Sequence, residues 1–171
     1  MKKFLLTTAV AGLLLAACND DAPKEETTKP TDNNAKEETT NVKADLMKFY
    51  MTIPNTINET DADLNAYEKA AGEGADLAEL KDAAVTSAQE TVKAVEGIEV
   101  PEALADHKAD IETALTDLKA VYEEKAAAIS ADDAAKLEET NAKFEEVDAK
   151  FNALLEEQGL IPSSIQNEVT K

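Results

Sequence analysis

The spacing of apolar residues from Ala44 onward constrains the fold more than any other feature of this chain. These residues recur at steps of three and four, which is the period of one face of an α-helix. The chain has no Trp, four Phe and three Tyr, so Ala, Leu, Val and Ile must fill the core. The first apolar stripe consists of Leu46, Tyr50, Ile53, Ile57, Leu64, Tyr67 and Ala71. A chain rich in Ala, Glu, Lys and Leu with this period is predicted to be all-α, with long helices packed closely together.

Helix-breaking residues divide the first part of the periodic region. Pro54 interrupts the first stripe, so we expect either a kink there or a short first helix followed by a second one near Thr60. The Gly-Glu-Gly sequence at 72–74 ends this region. A second strong helix is predicted over about 76–96, with Gly97 at its carboxyl end. Its apolar stripe is Leu77, Leu80, Ala84, Ala88, Val92 and Val95.

Two more helices are predicted in the second half of the chain. Pro101 is expected to open the third helix, because a proline loses no hydrogen bond at a helix start. The stripe of this helix is Leu104, His107, Ile111, Leu115, Leu118, Tyr122 and Ile129. The sequence from Ser130 to Asp133 resembles a capping box and predicts the start of a fourth helix, which ends at Gly159. Its inward residues are Leu137, Phe144, Val147, Phe151 and Leu154.

These elements predict one helical domain with a polar segment before it. Three to four long helices with short connections favour an antiparallel up-and-down bundle over 44–160. Residues 161–171 are expected to form a tail, in which Ile165 and Val169 are spaced to add a short turn of helix on the end of the bundle. Residues 18–43 have almost no apolar side chains after Cys18 and repeat a K-E-E-T-T block, so we expect a disordered tether spanning roughly 25–30 Å.

The first eighteen residues have the layout of a secretory signal peptide. Lys2 and Lys3 form a basic start, an apolar run follows over 4–15, and small residues precede the single cysteine, Cys18. An ordinary cleavable signal, or a short uncleaved anchor with an incidental cysteine, is the alternative interpretation of this pattern.

The end of the run, Leu15-Ala16-Ala17-Cys18, resembles the lipobox of bacterial lipoproteins. The resemblance implies that a signal peptidase recognises Leu15, Ala16 and Ala17 and removes the signal of 1–17. It also implies that the Cys18 thiol receives a diacylglycerol and that the new amino terminus is often acylated, for which palmitate is the expected chain. Two or more chains hold a protein stably on a membrane, whereas one binds reversibly. Membrane lipid is therefore an expected partner.

The charge of the chain limits its other partners. It has 36 acidic and 17 basic residues, a formal net charge of −19, and every basic residue is Lys. Without the two lysines of the signal the count is 15 basic against 36 acidic residues, or about −21. Such a surface repels nucleic acid and anionic lipid headgroups, so no nucleic acid partner is predicted. It attracts divalent cations or cationic partners in a salt-dependent way, or it serves solubility alone.

Two motifs that suggest metal binding are incomplete. His107 is the single histidine, and Leu104 stands where a diiron Glu-x-x-His pair has its Glu. We expect His107 to be a partly buried residue at the core edge. The residues from Asp61 to Asn65 match the first ligands of a calcium loop, but Ala66 replaces the required Gly and Gly72 the bidentate Glu. No metal ligand is therefore predicted.

Catalytic motifs are lacking as well. The serines considered as nucleophiles are Ser87, Ser130, Ser163 and Ser164. None has a Gly-x-Ser-x-Gly setting, and the chain has no Gly-rich phosphate loop. A slim Ala-rich bundle also offers little concave space for a pair of catalytic carboxylates. The sequence predicts no catalytic residue, no cofactor and no enzymatic activity.

The sequence-based prediction is an exported lipoprotein on the extracytoplasmic face of the cell membrane. Its bundle is interpreted as a non-enzymatic binding or scaffolding module at the cell envelope, with a cell-wall component or an envelope protein as partner. The short basic start and the Lys-only basic set fit a Gram-positive surface, and a periplasmic face stays open. In architecture the chain is similar to small helical lipoproteins described as cell-wall-binding. The alternative is capture of a metal ion or small cationic solute for a membrane transporter.

Overall fold

The structure is a computed structural model that describes residues 34–170, with side chains from 41 onward. This part of the chain is all α and contains no strand. The helices are α1 (Asn34–Asn58), α2 (Ala62–Gly72), α3 (Lys81–Glu96), α4 (Lys108–Ser130), α5 (Ala134–Glu157) and α6 (Ile165–Val169), with a 3₁₀ helix at Glu102–His107. The predicted all-α fold is confirmed.

The long helices alternate in direction. Lys81 at the start of α3 pairs with Asp132 just after α4, whereas Glu96 at the end of α3 pairs with Lys119 inside α4. The ion pairs between α4 and α5 show the same inverse order, Lys143–Glu124 and Lys150–Asp117. Helices α3, α4 and α5 are therefore successively antiparallel, as expected for an up-and-down bundle.

The core is continuous through the four long helices. Edge-to-face ring pairs join α1 to α5 through Tyr50 and Phe151, and α4 to α5 through Tyr122 and Phe144, with centroids 6.2 and 5.9 Å apart. The fully buried aliphatic residues include Leu46, Ile53, Ile57, Leu64, Leu104, Ile111, Leu118 and Ile129. Ala84, Ala88 and Ala114 are also at 0% exposure, so small side chains let the helices approach closely where rings are scarce.

The start of α1 corrects the predicted tether. The helix begins at Asn34, so residues 34–43, which were expected to be disordered, form its first turns. This segment contains Ala, Lys and Glu, which favour helix, and Val42 packs against the core. A helix nucleated by the core extends into such polar sequence at little cost. The rest of the predicted tether, 18–33, and the predicted signal peptide of 1–17 lie outside the described residues.

Pro54 does not split the first helix. It is buried inside α1, which continues to Asn58, and the chain breaks near Thr60, where the separate helix α2 was expected. Of the two alternatives, the structure has the second helix near Thr60, but the helix before it is long and continues past Pro54.

The second and third predicted helices begin later than expected. An Asp76 carboxylate oxygen accepts the Ala78 N–H at 3.0 Å, a local bond that competes with helix, and α3 starts only at Lys81. After Pro101 the chain forms the 3₁₀ helix instead of the predicted α-helix. Leu104, which is fully buried, has non-helical φ and ψ of −108° and 23°, so α4 begins at Lys108.

The predicted fourth helix exists with a different cap. Ser130 still belongs to α4, where its hydroxyl donates to the Ala126 carbonyl at 2.8 Å. Asp132 turns the chain with φ of +55°, and Asp133 caps α5 by accepting the Lys136 N–H at 3.0 Å. The helix ends at Glu157, next to Gly159 with φ of +65°.

The tail prediction is confirmed within the described residues. Ile165 and Val169 are buried at 0% and 1% exposure on the short helix α6. This helix meets the end of α1, where the Asn58 side-chain amide donates to the Glu168 carbonyl at 3.3 Å.

Candidate functional site

A lysine lies inside the bundle beneath α2. Lys125 of α4 is 1% exposed, and its ammonium nitrogen is 2.6 Å from a carboxylate oxygen of Glu68 on α2. The same nitrogen lies 6.0 Å from the ring centroids of Tyr122 and Phe144. The two rings add a favourable cation–π contact to the ion pair. An ammonium group in this setting needs its carboxylate, because a buried charge without a partner is strongly destabilising.

A second carboxylate belongs to the same cluster. Asp61, immediately before α2, is 2% exposed, and its Oδ2 accepts a hydrogen bond from the Asn65 side chain at 3.0 Å. Burial raises the pKa of Asp61, and the nearby Glu68 charge acts in the same direction, while the Asn65 bond and Lys125 oppose the shift. Burial likewise holds the pKa of the Tyr122 hydroxyl well above its usual range, so this group stays neutral. We call Asp61, Glu68 and Lys125 the buried charge cluster.

Hydroxyl groups of α3 fix the turn that leads into α2. The Ser87 hydroxyl donates to the Thr60 carbonyl at 2.6 Å and accepts the Leu64 N–H at 3.2 Å. The Thr91 hydroxyl lies 2.9 Å from that of Thr60. These bonds satisfy polar groups of a buried turn, so the arrangement positions α2.

His107 is found at the core edge, as predicted, but it is the last residue of the 3₁₀ helix and not part of the α-helix. It occupies the N-cap position of α4, and its side chain is 12% exposed. Its Nε2 is 3.1 Å from the Gln158 amide nitrogen and its Nδ1 is 3.9 Å from a Glu157 oxygen. The imidazole ring thus faces the Gln158 amide with one nitrogen and the Glu157 carboxylate with the other. The histidine therefore connects the start of α4 to the end of α5.

The acidic residues considered as calcium ligands do not act together. Asp61 is buried in the charge cluster, whereas Asp63 is exposed on an open groove. That groove is also lined by Glu59, Asp82 and Glu90. Within the part of the chain that the structure describes, no three His, Cys, Asp or Glu side chains are grouped so that they would hold a metal ion.

The serines are structural in the described chain. Ser87 and Ser130 make the bonds given above. The Ser164 hydroxyl donates to Asp148 Oδ2 at 2.6 Å, and Asp148 Oδ1 accepts the Ile165 N–H at 2.8 Å. The Ser163 N–H donates to the Asn152 side chain at 2.8 Å. Asp148, at 8% exposure, thus anchors the tail to α5.

Lys125 and Asp148 were missed by the sequence analysis. Lys125 falls on the apolar stripe of α4, three residues after Tyr122 and four before Ile129, and this inward position was the signal that could have revealed it. Asp148 had the same signal, four residues after Phe144 and three before Phe151, but its role depends on a tail that returns to α5 after Gly159.

The predicted lipidation site lies outside the described residues. This applies to Cys18 and to the recognition residues Leu15, Ala16 and Ala17. Among the helices that are described, none combines the length and the apolar character needed to cross a membrane. Comparison of the chain with protein-family profiles, with curated proteins and with solved structures gives no match.

Proposed function

We propose that the chain is a bacterial lipoprotein, anchored in the cell membrane through Cys18, whose helical domain is a binding or scaffolding module on the extracytoplasmic face. The observation that carries the proposal is Leu15-Ala16-Ala17-Cys18 at the end of an apolar run with a basic start. The partner is a cell-wall component or an envelope protein, and the activity is non-enzymatic.

Two features of the helical domain support this assignment. Its long helices turn their apolar stripes toward a shared core, so their outer faces are free for contacts. The buried polar side chains of Ser87, Lys125 and Asp148 form hydrogen bonds or ion pairs that position α2 and the tail, which is a structural role and not a catalytic one. A stable domain on a lipid anchor presents its outer faces to the envelope, and the surplus of acidic residues favours a cationic partner.

The anchor is tested by labelling cells that express the full chain with radioactive palmitate. We expect label on the wild-type protein, which stays with membranes in high salt. The Cys18→Ala variant should carry no label and should keep the larger mass of the unprocessed chain. An unlabelled wild-type protein, or one that high salt releases from membranes, would contradict the anchor.

The binding module is tested separately with a chain that starts at Asn19. This version is incubated with purified wall and with whole membranes at low and moderate salt, beside an unrelated helical protein of similar net charge. Retention on one fraction that survives moderate salt, and that the control does not show, supports the module. Retention equal to that of the control would show that net charge alone causes it. The absence of retention on either fraction would refute envelope binding.

A further inference from the structure

Helix α2 has few apolar contacts for its position in the fold. Leu64 and Tyr67 are its buried residues, and it packs mainly on α3. By contrast α4 buries ten residues. A segment with so little buried apolar surface separates from a folded protein at a lower free energy than its core helices do.

The segments on either side of α2 differ in how firmly they are held. A short turn at 59–61 precedes it, and the segment 73–80 that follows contains no helix. Gly74 has φ of +72°, and no heavy atom lies within 4 Å of the place where a Cβ would stand at Gly72 or Gly74. The backbone on the carboxyl side of α2 therefore has both conformational freedom and space.

Polar contacts hold α2 in place instead. The Ser87 hydroxyl accepts the Leu64 N–H, and the Asn65 side chain donates to the Val169 carbonyl at 2.6 Å. The ion pair between Glu68 and Lys125 joins α2 directly to α4, in addition to the packing of α2 on α3. In an opened state these charged groups regain water, so hydration replaces the bonds that define the closed position.

We propose that α2 opens and closes over the bundle as a unit with its flanking turns, and that the buried Glu68–Lys125 pair is the latch that holds it closed. Opening exposes the Lys125 ammonium group between the rings of Tyr122 and Phe144, and it leaves α3, α4 and α5 packed on one another. The inference is independent of the lipid anchor and of the envelope partner.

The test is native-state hydrogen exchange of the full chain, purified in mild detergent and followed by mass spectrometry at rising urea concentrations below the unfolding transition. In the wild type, the amides of α2 should exchange through an opening of lower free energy and weaker urea dependence than those of α4 and α5. If α2 shares the free energy and the urea dependence of α4 and α5, the proposed unit does not exist.

The latch is tested with Glu68→Gln, which removes the charge that faces Lys125. Exchange in α2 should become roughly tenfold to a hundredfold faster, the effect of losing a hydrogen bond to a charged group. The matched control is Glu124→Gln, the same substitution in a more exposed α4–α5 pair whose Lys143 nitrogen is 2.6 Å away. It should leave α2 exchange within about twofold of wild type. Unchanged α2 exchange in Glu68→Gln would refute the latch.

A bundle variant separates opening from global unfolding. Ile111→Val, at a fully buried position of α4, should speed exchange in α4 and leave α2 unchanged, because the bundle stays packed when α2 opens. Equal acceleration of both helices would show that α2 exchanges only by global unfolding. Should Glu68→Gln not fold, Glu68→Asp shortens the latch by one methylene and is measured in its place, with the same expected direction.

Discussion

The attachment of the tail to α5 through Asp148 gives a quantitative prediction. Asp148→Ala removes both acceptors at once, the one for the Ser164 hydroxyl and the one for the Ile165 N–H. The Ile165 N–H is buried, and leaving it without a partner costs about 1–3 kcal/mol. The Ser164 hydroxyl is partly buried and loses about 0.5–1.5 kcal/mol more. We expect a loss of about 2–4 kcal/mol in the free energy of unfolding.

The loss has an upper limit that the structure also defines. If the tail detaches in the variant, the loss in the free energy of unfolding cannot exceed the free energy with which the tail binds the bundle. Burial of Ile165 and Val169 contributes about 1.5–3 kcal/mol each to that binding. Urea unfolding followed by circular dichroism measures the loss. A lower urea dependence in the variant would show that the tail is already undocked in its native state, because less surface is then exposed on unfolding.

Two further variants make this reasoning refutable. Asp148→Asn keeps one acceptor oxygen and most of the volume, so its loss should be smaller than that of Asp148→Ala. Asp117→Ala removes a carboxylate from the exposed pair with Lys150 and should cost about 0–1 kcal/mol. If Asp148→Ala cost no more than Asp117→Ala, the hydrogen bonds to the tail would not stabilise the fold, and the assignment of Asp148 as an anchor would be wrong.

Three other outcomes follow from single contacts. Phe144→Ala, at 0% exposure against Tyr122, should cost about 3–5 kcal/mol in urea unfolding, and a loss below about 1 kcal/mol would contradict the described core. Asp133→Ala removes the cap of α5 and should cost about 1 kcal/mol, whereas the neighbouring Asp132→Ala should not act through that cap. The pKa of Asp61 is raised in the folded state, so the folded protein binds this proton more tightly than the unfolded chain does. The stability of wild type, measured relative to Asp61→Asn, should therefore fall as the pH rises from below 3.8 through the raised pKa. A relative stability that stays flat or rises in urea unfolding between pH 3 and 8 would contradict a buried, desolvated Asp61.

Apolar spacing predicted the helices well and their ends poorly. The stripes identify most of the core because a residue that recurs every three or four positions must face one side. Helix starts depend instead on local competitors that spacing does not reveal, such as the Asp76 side chain that accepts the Ala78 N–H and delays α3. The start of α1 was misplaced for the opposite reason, since polar sequence that would be disordered alone extends a helix anchored by the core.

Buried polar residues were harder to predict than the core. Lys125 had a positional signal, but its Glu68 partner is 57 positions away in the sequence and on a different helix. Asp148 finds its hydrogen-bond donors, Ser164 and Ile165, only because the tail returns to α5. Both arrangements depend on tertiary contacts between distant segments, and the apolar spacing within each segment does not show which other segment it contacts.

The two short helices show why this chain contains buried charges at all. With few aromatic side chains, α2 and α6 each bury only two large apolar residues, too little surface to define one position on the bundle. Apolar contacts are non-directional, whereas an ion pair or a hydrogen bond to a carboxylate has a single geometry. Glu68–Lys125 and Asp148–Ser164 each join a long helix to the peripheral segment beside it. The long helices are stabilised by apolar packing. The peripheral segments α2 and α6 are held in one position by buried polar contacts, at some cost in desolvation of the charged groups.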